Sequence, residues 1–250
     1  IYGTDAGLEI DSTVTLNSVY GASDVNTITF KKKSNEAGEV FLERIGTASG
    51  VDNIITLNGT SYVTFDSINV RQKDTANFNQ VETGYFLRNS SNLVGSTFNT
   101  IGNAKIFLKA SNINSVGIKD SVSVPITLFS GVNSYNKYRN NIITNCYSGI
   151  RSFGYSGGTT PNLTNGRYNE ITGNTITGFG GTSTATYGIY TNLQMFITVS
   201  NNIIVSGPGS TNAIYGINMV GNTFGSVDVN SNTVTLTSGT TSQIVSPIYV

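Results

Sequence analysis

The chain of 250 residues has no histidine, no tryptophan, a single cysteine, two methionines and four prolines, and only 11% of it is charged. Each shortage excludes something. Without histidine the chain lacks the commonest general base and a leading metal ligand. Cys146 stands alone, so no intrachain disulfide can form, and its alternation with Tyr147 reads as packing rather than reactivity. Fourteen basic residues balance fourteen acidic ones. No net field therefore points to nucleic acid or to an anionic membrane. No apolar run of about 18 residues occurs, so no membrane insertion is expected. Neither a metal nor a cofactor is expected. The chain opens at Ile1 and closes on the strand-like Ile248-Tyr249-Val250, which suggests a processed protein or a segment of a longer one.

What is present is turn chemistry and β-formers. The chain holds 28 glycines and 31 asparagines, with abundant Ser and Thr. Gly and Asn tolerate the left-handed backbone that sharp corners need. Branched apolar and aromatic residues occur throughout, which separates this composition from disorder. Alternating runs such as Val14-Thr-Leu16, Ile28-Thr-Phe30, Glu39–Leu42, Asn53–Leu57 and Tyr62–Phe65 predict short strands. Further strands are expected at Ser67–Val70, Gly84–Leu87, Ser96–Phe98, Lys105–Leu108 and Pro125–Leu128. Residues 73–83, 157–166 and 180–186 read as loops or insertions. Lys31-Lys32-Lys33 reads as a solvated corner, with anion binding as the alternative.

A repeat then emerges. Asn145, Asn174, Asn202 and Asn232 each close a similar apolar–polar alternation, 29, 28 and 30 residues apart. That period, rich in strands and free of helical pattern, predicts an all-β solenoid. The expected fold is a right-handed parallel β-helix of roughly eight to ten rungs, one domain over 1–250. Residues 1–50 are its less regular start, and the repeats are clearest over 133–240. Stacked at the ~4.8 Å spacing of paired strands, Asn145, Asn174, Asn202 and Asn232 would form a ladder, each amide donating to one rung and accepting from the next.

Ile54-Ile-Thr-Leu-Asn-Gly59, Tyr62-Val-Thr-Phe65, Ile171–Thr177 and Tyr187-Gly-Ile-Tyr190 resemble the parallel β-helix proteins of the pectate-lyase-like superfamily. More narrowly, they resemble large secreted or cell-surface proteins of the Bacteroidetes. That resemblance implies an extracellular or outer-surface location and an export machinery as partner, often the type IX system. It also implies O-glycosylation at Asp-Ser/Thr-small motifs. Ser67, Thr75 and Ser121 are the candidate acceptors, with a weaker match at Asp11-Ser12-Thr13. Asp and Ser as ordinary turn-formers are the alternative.

In polysaccharide-active β-helices the substrate lies along one sheet. The comparable column here follows the Gly-Ile pairs at 117, 149, 188 and 216. With Ile inward, Lys119, Arg151, Tyr190 and Asn218 point out, and Phe153, Asn192 and Val220 share their face. Lys119 above Arg151 favours an anionic ligand. Tyr190 and Phe153 offer sugar-stacking surface, and Asn192 and Asn218 offer amides for hydroxyls. An ordinary solvated face is the bland alternative. The column holds no acid, whereas a glycosidase needs paired carboxylates and a calcium-dependent lyase needs clustered Asp. The expected function is therefore non-catalytic, structural or adhesive, with polysaccharide or cell-surface glycans as partners. The alternative is a lyase or hydrolase of an acidic polysaccharide, with Asp120, Glu170 and the long loops as the places to search. A phage tailspike lacks its usual acids here, and an ice-binding solenoid lacks its fixed Thr column.

Overall fold

The computed structural model describes residues 8–10, 12–32, 39–47, 51–73, 80–157, 161–221, 225–239 and 242–250. Strands recur in a fixed order of three along this chain, and each returns to stack on its counterpart one coil earlier. Sheet I consists of Val14–Asn17, Asn53–Asn58, Thr83–Arg88, Val116–Ser121, Ser148–Phe153, Thr186–Asn192, Ile214–Val220 and Val245–Tyr249. Sheet II consists of Ile28–Lys31, Val63–Asp66, Thr100–Gly102, Lys137–Arg139, Glu170–Thr172, Ile197–Ser200 and Val227–Asn230. Sheet III consists of Leu8–Glu9, Phe41–Arg44, Asn69–Gln72, Lys105–Phe107, Ile142–Thr144, Thr175–Phe179, Ile203–Ser206 and Thr233–Thr235. Every pairing between these strands is parallel and joins neighbouring coils. The fold is an all-β parallel solenoid. Its sheets hold eight, seven and eight strands among the described residues, so the coil count falls short of the eight to ten rungs expected.

Apolar columns hold the coils together. Ile55, Tyr85, Ile118, Ile150, Ile189 and Ile217 are in register along the inner side of sheet I, all fully buried. Val70, Ile106, Ile143, Ile176 and Ile204 do the same on sheet III. Each such side chain contributes about 1.5–3 kcal/mol on burial. No single coil can enclose its own column, so stability accumulates by stacking.

Corners decide how tightly each coil closes. From sheet II to sheet III the turn passes through a left-handed residue, in succession Ser67, Asn103, Asn140, Gly173, Asn201 and Ser231. The residue that follows turns inward. There Asn141, Asn174, Asn202 and Asn232 form a ladder, with Nδ2 to Oδ1 distances of 3.0, 3.0 and 2.9 Å. The same Oδ1 atoms accept the backbone N–H of the preceding member. Asn145, expected in this ladder, is not part of it. It is an exposed left-handed corner residue on the way to sheet I, with φ of 57°, and Asn141 takes the place assigned to it. Both lie in similar Asn-containing turns, and only the lateral register distinguishes them.

Two expected strands are absent. Phe98 is a left-handed corner residue, so Ser96–Phe98 is a bend in which Thr97 alone makes isolated bridges, to Ser61 and Ser134. Pro125–Leu128 is irregular and leads into a turn of 3-10 helix at Phe129–Gly131. Pro125 has no N–H to give a central ladder. The insertion before sheet II's fifth strand contains one helical turn, Pro161–Thr164.

Candidate functional site

The outer face of sheet I is built by alternation. Because the Ile column points in, the residue after each Ile points out. Strand register aligns Thr56, Phe86, Lys119, Arg151, Tyr190, Asn218 and Tyr249 as one outer column. Beside it run Ser121, Phe153, Asn192 and Val220. On the other side run Ser148, Tyr187, Tyr215 and Ser246. The six candidate ligand-contact residues thus occupy neighbouring strands of one face. Asn218 differs from the rest, being only 6% exposed with its Oδ1 buried and unpaired. It is a floor residue rather than an open amide.

The upper part of this face is aromatic. Tyr187 stacks on Tyr190 at 4.4 Å and on Tyr215 at 5.3 Å between centroids. Phe153 meets Tyr190 at 76°, and Tyr215 meets Tyr249 at 76°. These perpendicular contacts turn Phe153 and Tyr249 out of the stack, so ring faces as well as edges line the surface. Tyr187 and Tyr215 escaped the sequence argument, although both sit in a recurring Tyr-Gly-Ile that marks the column.

The lower part is cationic. Lys119 Nζ lies 5.1 Å from the Phe86 centroid, and the Arg151 guanidinium 5.8 Å from that of Tyr187. Arg151 also donates to Ser148 Oγ at 2.9 Å. Burial, and then the charge of Arg151, lower the Lys119 pKa. Burial lowers that of Arg151 as well, though a guanidinium stays protonated. Elsewhere most charges find opposite partners. Lys31 pairs with Asp66 at 3.3 Å, Lys137 with Glu170 at 3.1 Å, and Arg44 with Asp52 at 2.8 Å. On sheet III, Arg71 pairs with Glu43 and Lys73 with Glu9. Among the described residues Arg88, Lys119, Arg139 and Arg151 have no such partner, and Lys119 and Arg151 are the two that stand side by side on this face.

The two acids singled out for chemistry do not meet. Asp120 alternates with Lys119 and therefore points into the coil, 1% exposed. Tyr138 Oη donates to it at 2.7 Å, Asn133 Nδ2 at 2.8 Å, Ser152 Oγ at 3.3 Å and Asn169 Nδ2 at 3.5 Å. Burial raises its pKa from 3.8 to about 6, against the opposing pull of those bonds. Glu170 lies on sheet II, paired with Lys137. The described residues hold no cluster of three or more metal-ligating side chains. None of their helices is long and apolar enough to cross a membrane. Cys146 is buried and its thiol is pushed up to about 12, which makes it a packing residue. Of the candidate glycan acceptors, Ser67 sits at a corner with its hydroxyl 3.2 Å from Asp66, Ser121 ends a sheet I strand, and Thr75 lies outside the described residues.

No protein-family model matches the chain, and a search of curated proteins finds no relative. One solved structure matches, the catalytic domain of a GH87 α-1,3-glucanase in complex with nigerose. It shares 15% identity over 98% of this chain and 60% of that chain, with a TM-score of 0.28. The chain thus spans about three fifths of that domain. At that score the likeness carries no functional argument, and the fold rests on the strand register itself.

Proposed function

We propose that this protein is a non-catalytic polysaccharide-binding rod that takes an acidic glycan along the outer face of sheet I. One observation carries the reading. Two cations without carboxylate partners, Lys119 and Arg151, share a face with the Phe153, Tyr187, Tyr190 and Tyr215 cluster. Like charges on neighbouring strands oppose one another, so Lys119 beside Arg151 is a cost that an anionic ligand removes. Carboxylates or sulfates of a glycan would meet the cations while sugar faces stack on the rings. A lyase or glycosidase needs acids on this face. Among the described residues the nearest acid in sequence, Asp120, points the other way.

The reading takes the protein to be exported and held at the cell surface, as the Bacteroidetes-like segments imply. Ser67, Thr75 and Ser121 would then carry glycans in the native host, and an intact mass equal to the bare polypeptide would remove that part. Affinity electrophoresis against acidic and neutral polysaccharides tests the binding. Arg151→Ala should weaken retention by about tenfold, since a charge-assisted contact is worth ~1.5–3 kcal/mol, and Tyr190→Ala by several-fold, since a ring contact is worth ~0.5–1.5 kcal/mol. Added salt should weaken it further for the acidic glycans. Equal retention of wild type and both variants would remove this face from the account.

A further inference from the structure

The corner between sheets I and II carries an aromatic stripe distinct from the face described above. Tyr62, Phe98, Tyr135, Tyr168 and Phe196 occupy it on five successive coils, all left-handed, with φ of 61°, 56°, 58°, 53° and 55°. Their rings stack at 4.9, 4.6, 5.2 and 4.9 Å with interplanar angles of 3°, 9°, 18° and 14°. Phe98, Tyr168 and Phe196 remain 43%, 46% and 38% exposed. The next corner fills its left-handed positions with Ser, Asn and Gly, the residue types that adopt this conformation cheaply. A bulky ring there carries strain on the order of 1–3 kcal/mol. Ring–ring stacking returns about 0.5–1.5 kcal/mol per pair. Packing accounts for the rings touching each other, and it does not call for aromatic residues at these positions.

We infer that this ladder is a binding stripe for an extended planar conjugated molecule lying along the solenoid axis. The faces of Phe98, Tyr135 and Tyr168 are covered by their neighbours, so the stripe presents mainly ring edges to solvent over about 20 Å, four strand spacings. Aromatic C–H edges, and the phenolic O–H hydrogens of Tyr62, Tyr135 and Tyr168, carry partial positive charge, whereas aromatic faces carry partial negative charge. The complement of a row of edges is a continuous π-face laid flat across them, in edge-to-face contact with every rung. A sugar ring stacks its C–H groups on open ring faces, and the inner faces of this stripe are already taken by neighbouring rings. The stripe and the sheet I face therefore select different ligands. On one side Phe129 meets Tyr135 edge-on at 6.5 Å, with the Arg167 guanidinium 4.4 Å above its ring. This forms a low wall beside the middle of the stripe.

The probe is thioflavin T, a rod-like conjugated molecule whose fluorescence rises when it is held flat. Wild-type protein should enhance its fluorescence saturably. Tyr135→Asn with Tyr168→Asn should weaken binding at least tenfold without lowering the melting temperature, because Asn accepts the left-handed backbone at little cost. Tyr135→Phe with Tyr168→Phe keeps the rings and should keep the signal, which separates ligand loss from misfolding. Tyr190→Ala should leave the dye signal unchanged. No enhancement by the wild type, an unaltered signal in the double Asn variant, or loss through Tyr190→Ala would each overturn the assignment.

Discussion

Asp120 is the residue whose burial has the clearest consequence. Its carboxyl is enclosed, and its pKa rises from 3.8 to about 6. Between those values the folded protein holds a proton that the unfolded chain has released. Stability from this site is therefore fully present below about pH 4 and lost as pH rises through about 6, by up to ~3 kcal/mol. Asp120→Asn removes the titration. Denaturant unfolding of both proteins at pH 4 and pH 7 should show the variant gaining on the wild type by a few kcal/mol at the higher pH. An unchanged difference would mean that the carboxyl is not held neutral. The ladder asparagines give a second contrast. Asn174 Nδ2 donates to Asn202 Oδ1 and to the Tyr138 carbonyl, while its Oδ1 accepts from Asn141. Asn174→Ala strands several fully buried groups and should cost ~2–4 kcal/mol. Asn145→Gly, at an exposed left-handed corner, should change stability by less than ~0.5 kcal/mol.

At the scale of the element, a strand's two faces were readable and its corners were not. Alternation in Gly149-Ile-Arg151 and Gly188-Ile-Tyr190 reveals which side chains go in and which go out. The repeat period predicts that Lys119, Arg151 and Tyr190 stack. Corners obey a different logic. Asn141 and Asn145 look alike in sequence, and only inter-coil hydrogen bonding sends one inward and leaves the other in solvent. Phe98 looks like a strand residue because aromatics favour strands, yet it turns the chain. The signal for the corner stripe was the recurring aromatic–Asn pair at Phe98-Asn99, Tyr135-Asn136 and Tyr168-Asn169, in which the ring points out and the Asn builds a second ladder inside. The glycines entering sheet I are equally constrained. A Cβ on Gly149 would stand 2.5 Å from the Gly188 carbonyl oxygen and 2.6 Å from Ile176 Cγ2. Gly149→Ala should therefore destabilise by about 1–3 kcal/mol through overpacking, read as a lowered melting temperature. An unaltered melting temperature would mean that neighbouring coils shift freely.

For the whole molecule, charge is distributed by face. Most charges on sheets II and III pair across coils, as Lys31–Asp66, Lys137–Glu170 and Arg71–Glu43 do, and the C-terminal coils carry almost none: beyond Arg167 only Glu170 and Asp228 remain. Sheet I sets Lys119 beside Phe86 and Arg151 beside Tyr187, on neighbouring strands and with no partner carboxylate. A stiff stack of coils bearing one such face can lay a polymer along its length, with each coil adding one contact. The central claim is that this face holds an acidic polysaccharide and does not cut it. The most direct measurement incubates the protein with a panel of acidic and neutral polysaccharides, following both retention and the appearance of new reducing or unsaturated ends. Acidic chains should be retained with no new ends. Release of shortened or unsaturated products would contradict it, and so would failure to retain any acidic chain.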